Sequence, residues 1–139
     1  MSSLSRFGVS LDRTLLKTFD AWLAGRGFAS RSQAIAELIR DGLVEQEWKD
    51  TAGPVIGIVT LVYDPSHHVL SHTLTRTEHT HHERILSSQH IHLDERACLE
   101  VLVLKGRAEE IKRLAQRLCS LKGVKHGQML MTTTGSTIA

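Results

Sequence analysis

Cysteine is scarce in this sequence: 139 residues hold only Cys98 and Cys119. Two cysteines at unlike positions make no disulfide framework, and a thiolate ligand would need a reducing compartment or the protection of a metal. No run of 18 apolar residues occurs, and the stretch MSSLSRFGVS lacks the apolar core of a signal peptide. The chain therefore reads as soluble and cytoplasmic, with no membrane partner. Charge of one sign is also missing: the net charge is +2, and residues 1–50 carry seven Lys/Arg against seven Asp/Glu. Any contact with nucleic acid must then depend on where single arginines stand, because there is no broad basic field. A hydrophobic content of 41% is enough for one domain or two small ones.

What the chain has in excess is histidine. Eight of its nine histidines fall between His67 and His92, and Cys98 follows six residues after the last of them. If ERILSSQHIHL is a strand, His90 and His92 project from one face, with Cα atoms about 7 Å apart along the strand. LDERA reads as a hairpin loop, so Cys98 begins the next strand and brings a thiolate to the same point. A further imidazole would complete an N3S set, planar on Ni(II) or Cu(II) or tetrahedral on Zn(II). Spacing alone leaves His79, His81 and His82 as candidates for that fourth position. The bland alternative is a solvated histidine-rich loop with a small buried cysteine.

In chain order, Arg6 to Leu11 alternates Phe7, Val9 and Leu11 with Arg6, Gly8 and Ser10, which predicts a short two-faced strand. About six residues cannot hold as a strand alone, and the same segment of a second copy is the economical partner. A helix is predicted from about Asp12 to Arg26, stopped by Gly25 and Gly27. A second runs from Ser30 to about Trp48, with Ser30 and Gln33 in capping-box spacing. The polar stretch Lys49 to Pro54 marks a boundary, giving domains at 1–50 and 55–139 joined by residues 51–54. Beyond it the pattern predicts strand 55–63, helix 66–78, strands 84–92 and 98–105, helix 108–122 and strand 124–132. That βαββαβ order is ferredoxin-like, an antiparallel sheet with two helices on one face, whose other face asks for an oligomer.

Strand, helix, turn, helix within fifty residues resembles the ribbon-helix-helix fold of small bacterial DNA-binding proteins. The fold class is then α+β, a ribbon-helix-helix domain followed by an ACT-like one. The whole chain resembles the nickel-responsive transcriptional regulator family, NikR, through RSQAIAELIR, LVYD, HIHLDERACLEVLVLKG and GVKHG. The resemblance implies Ni2+ ligation by His90, His92 and Cys98 of one subunit with His79 of a neighbour, in a homotetramer built as a dimer of dimers. It puts Tyr63 and Glu100 where groups that orient a ligand imidazole are expected. It also implies that Arg6, Gly8 and Ser10 face operator DNA, with Arg31 and Ser32 holding a phosphate at a helix start. The chain departs from the family at Gly8, where a polar residue is usual. It departs again at Gln33 and Glu37, which carry one charge fewer than the carboxylates of the family's structural cation site. His67, His68, His72, His81, His82 and His126 receive no ligand role.

The function implied is nickel-dependent repression of a nickel-uptake gene. Two other readings of the residues stay open: metal storage or delivery, and a ribbon-helix-helix regulator of a different ligand. No enzyme and no small-molecule substrate is expected, since no nucleophile and base stand beside the histidines and a closed N3S set leaves no open position. Within one chain the strand beginning near Arg84 would have to run back before His90, which places His79 about 30 Å from the site at 3.3 Å per residue.

Overall fold

The computed structural model describes residues 3–50 and 52–139. Two compact units are present: one reaches to Leu43 and includes Thr137–Ala139, and the other spans Val44–Ser136.

In the first unit, α1 (Arg13–Gly25) starts where the Asp12 carboxylate accepts the amides of Thr14 and Leu15. Gln33 donates its amide to the Ser30 hydroxyl and accepts the Ala29 amide through its own side chain. These bonds fix the start of α2 (Arg31–Lys49), as the capping-box spacing predicts. The strand expected over Arg6 to Leu11 does not form: the segment is coil, with Phe7, Val9 and Leu11 exposed. A strand exists only through its ladder, and among the described residues of one chain nothing offers the partner edge. Leu15, Leu38, Ile39 and Leu43 stay exposed as well, and α1 buries none of its residues.

The second unit carries β1 (Pro54–Tyr63), α3 (His68–Thr80), β2 (Ile85–Asp94), β3 (Ala97–Arg107), α4 (Ala108–Cys119) and β4 (Val124–Thr132). All pairings are antiparallel, in the order β2-β3-β1-β4. Burial alternates strictly along β1, with Val55, Gly57, Val59, Leu61 and Tyr63 inside. Cys98, Glu100, Leu102 and Leu104 of β3 lie opposite them on the same face. Leu70 and Leu74 of α3 and Ile111, Leu114 and Leu118 of α4 close this face into one core. Each fully buried Leu or Ile contributes roughly 1.5 to 3 kcal/mol. The opposite face, with Ile56, Ile58, Val101 and Val103, is only half buried.

Two glycines permit the close packing of α4. A Cβ on Gly127 would stand 2.8 Å from Cys119 Sγ, and one on Gly57 would stand 2.8 Å from an Ile111 methyl. Cys119 packs at the margin of this core. Trp48, at the end of α2, also belongs to this core and donates its indole N–H to the Thr132 carbonyl at 2.9 Å. Packing therefore divides the chain inside α2, before the polar break at 51–54.

The expected helices and strands of this unit are present with shifted ends. The loop between β2 and β3 is only Glu95 and Arg96, because the Asp94 carboxylate accepts the Arg96 amide at 2.7 Å. The helix predicted from residue 66 begins at His68, since the Asp64 carboxylate holds Ser66 in a turn.

Glu110 of α4 gives this unit a measurable acid response. Arg84 donates to it from Nε and a terminal nitrogen, each at 3.1 Å, and Arg107 adds a contact at 3.3 Å. The Arg84 hydrogen bond foremost, then that of Arg107, holds the carboxyl down at about 2 from an ordinary 4.5. A depressed folded-state value means the stabilisation is complete above pH 4.5 and fades as pH falls toward 2. Urea unfolding midpoints measured across that window should fall less steeply for Glu110→Gln than for the unaltered chain. Parallel pH profiles would contradict the role of this pair.

Candidate metal centre

The site grows out of strand register. Tyr63, Cys98 and His92 stand abreast across β1, β3 and β2, and Leu61, Glu100 and His90 form the next row. These residues share the face that the helices cover, and β2 is the edge strand, so the imidazoles sit where core meets solvent. Cys98 is fully buried, while His90 and His92 are exposed. One ligand atom from each of His90, His92 and Cys98 lies within 4.8 Å of the other two, the one such group among the described residues. Cys98 Sγ is 3.4 Å from His92 Nδ1, and the two imidazole rings meet edge to face at 4.8 Å. The ladder is irregular between His92 and Asp94, just where the site opens.

His90 is oriented from behind. Its Nδ1 lies 2.9 Å from the Glu100 carboxylate and 3.1 Å from the Tyr63 hydroxyl, which itself donates to the same carboxylate oxygen at 3.1 Å. A carboxylate accepting Nδ1–H leaves Nε2 with its lone pair free, the tautomer a metal needs. Burial first, then the negative charge of Glu100, pushes the Tyr63 hydroxyl well above its ordinary range, so Tyr63 stays a donor. Burial also raises the Cys98 thiol, with Glu100 adding to it. A metal that takes Cys98 must therefore displace a proton.

His79 is not in this group. It is exposed in the last turn of α3, its ring 6.5 Å from that of His82. A hydrogen bond ties the end of α3 to β2 within one chain, which the full-strand-length argument did not anticipate. The neighbour of His79, Glu78, accepts the Ser88 hydroxyl at 2.9 Å, two residues from His90. Glu78 and Ser88 were invisible to the sequence reading: Ser88 shares the His90 face by simple alternation, but its helix partner depends on packing.

Two imidazoles and a thiolate suit a borderline transition ion, with bonds of about 2.0 to 2.3 Å. Donors within 4.8 Å of one another nearly satisfy that requirement. Sequence comparison decides the family. Residues 56–132 match the family model described as the NikR C-terminal nickel-binding domain. Over 140 aligned residues the chain is 49% identical to a protein of Geotalea uraniireducens and 49% identical to one of Geobacter sulfurreducens, covering 99% of each partner. It is 50% identical over 138 residues to a protein of Nitratidesulfovibrio vulgaris, again covering 99% of both chains. All three bear the name "Putative nickel-responsive regulator".

The chain belongs to the NikR family.

NikR proteins are regulators, not enzymes, and the family's ion is nickel. The donor set fits it, with His90, His92 and Cys98 able to hold the ion and Glu100 and Tyr63 steadying His90.

The remaining candidate residues of this NikR chain lie apart from the cluster. His67 caps α3 by accepting the Leu70 amide, and His68 and His72 are exposed on α3. His81 follows α3, and His82 faces the His79 carbonyl. His126 is exposed on β4. Arg6, Gly8 and Ser10 are exposed on the coil. Arg31 is engaged with Asp20 through two hydrogen bonds of 2.7 Å, beside exposed Ser32. Gln33 spends its side-chain oxygen on the α2 cap, and Glu37 lies 3.7 Å from Arg40. Among the described residues no helix is long and apolar enough to cross a membrane.

Proposed function

We propose that this protein is a cytoplasmic, nickel-dependent transcriptional repressor, with a Ni(II) site completed between subunits of a homotetramer. The partner subunit's His79 joins His90, His92 and Cys98, and nickel occupancy favours an arrangement that binds operator DNA of a nickel-uptake gene. The observation that carries this reading is a three-donor cluster on an edge strand, with His79 exposed outside it. Three donors leave a coordination position, and an exposed edge strand is where a second copy can approach.

The N-terminal unit is the DNA-reading part in this proposal, a ribbon-helix-helix module closed by a second copy. A groove of about 660 Å³ there is lined by Phe7, Val9, Leu11, Leu16, Phe19 and Ile35 among others. Paired with another copy, residues 6–11 would form an antiparallel ribbon, its polar face with Arg6, Gly8 and Ser10 toward the major groove. Gly8 adds no side-chain contact to bases. Ser32 and the first amides of α2 suit a phosphate, and Arg31 joins them only by leaving Asp20. The second unit is the ACT-like, oligomerising domain. Bound nickel supplies a fixed electrophilic centre that draws a thiolate and imidazoles from two chains together. Linkage then requires operator DNA to tighten nickel binding by the same factor that nickel tightens DNA binding.

Selection from a random duplex pool, with and without nickel, tests the proposal. One sequence family should be enriched only with nickel. Enrichment without nickel would point to a regulator of another ligand. No enrichment in either arm would leave metal storage or delivery.

A further inference from the structure

We infer that Glu78 is a positioning residue of the metal centre, pinning the last turn of α3, and with it His79, to the strand that carries His90 and His92. Its nickel readout rests on the proposed sharing of His79.

Glu78 occupies a costly place. It lies in the final turn of α3, where a helix disfavours negative charge. It is half buried, and Glu100 faces it from β3. Burial foremost raises its carboxyl, with Glu100 adding to the rise and the Ser88 hydrogen bond opposing it. What the side chain does there is specific. Its Oε2 accepts the Ser88 hydroxyl at 2.9 Å, joining α3 to β2. On β2 that bond lies two residues from His90, and on α3 it lies one residue from His79. One carboxylate thus sets the position of a turn that offers a ligand outward against the strand that holds two ligands of its own chain.

Glu78→Ala and Glu78→Gln test the inference in the full-length chain. In the metal-free protein, amide exchange of residues 77–84 should quicken about five- to tenfold for Glu78→Ala, the loss of one charge-assisted hydrogen bond. Nickel affinity should fall roughly 10- to 100-fold. The thiolate-to-nickel absorption band should persist at saturating nickel, because Glu78 is not itself a ligand. Glu78→Gln keeps an acceptor for Ser88 and removes the repulsion with Glu100, so it should rescue most of both losses. In a His79→Ala background, Glu78→Ala should cost no further nickel affinity.

Unchanged exchange in Glu78→Ala, a Gln variant as impaired as the Ala variant, or a full added cost in the His79→Ala background would each overturn the role. So would loss of the absorption band, which would show that the Cys98 bond to nickel depends on Glu78. If His79→Ala alone leaves nickel affinity intact, the shared site fails, and the exchange comparison still decides whether Glu78 pins the turn.

Discussion

Cys98→Ala is expected to abolish tight nickel binding, while His81→Ala binds nickel as the unaltered chain does. Cys98 is the soft, charged member of the donor set, and His92 Nδ1 already lies 3.4 Å from its sulfur. Structural zinc sites hold their ion with about 10 to 16 kcal/mol shared over four ligands, so one ligand is worth roughly 3 kcal/mol, or more than a hundredfold in affinity. The loss is not a loss of fold, because alanine fills most of the volume of this buried thiol; thermal unfolding of the metal-free variant should check that. His81 differs by its surroundings. It lines a cavity of about 440 Å³ with Arg84, Arg113, Arg117 and Glu110, where the arginines outnumber the one carboxylate, itself paired with Arg84, and disfavour a metal ion. Nickel titration of both variants decides the matter, and equal losses would remove the grounds for naming His79, instead of His81, as the fourth ligand.

Arg6→Ala is expected to cripple DNA binding and leave nickel affinity untouched in the absence of DNA. An arginine on the exposed face of a ribbon can take a guanine in two hydrogen bonds, each such pair worth about 1 to 3 kcal/mol. A ribbon made by two copies presents two of them, so the combined cost is larger still. Arg6 stands on the exposed coil of the first unit and has no part in the His90 cluster. Band-shift assays with a nickel-selected duplex and metal titration on the same preparation separate the two effects. Normal DNA binding by the variant would favour storage or delivery.

Much of the site was legible in sequence because its logic is local. His90 and His92 share a face by alternation, and a tight hairpin carries Cys98 opposite His92, a register that needs no knowledge of the rest of the fold. The helices were legible from their periodicity and caps, as the Ser30 and Gln33 bonds illustrate. The missing strand at residues 6–11 shows the limit of such reading. Alternation reports which faces a segment would have, but pairing is supplied by a partner. The strand-length argument about His79 treated α3 as an end point, whereas the Glu78–Ser88 hydrogen bond ties the last turn of α3 to β2 within one chain, a contact that no local pattern reports. Trp48 taught the same lesson, its pattern assigning it to the second helix and its burial to the core of the next unit.

The central claim is that one nickel site takes ligands from two subunits. Mixing a His79→Ala chain with a Cys98→Ala chain, and measuring bound nickel after the subunits have exchanged, tests it directly. Each variant alone lacks one ligand in every site. In mixed assemblies some sites pair an intact His79 with an intact His90, His92 and Cys98 across the subunit boundary. The account predicts that nickel binding reappears, at the fraction that random pairing sets. Demonstrated exchange with no recovery of nickel would place all ligands in one chain and contradict the coupling of metal to assembly.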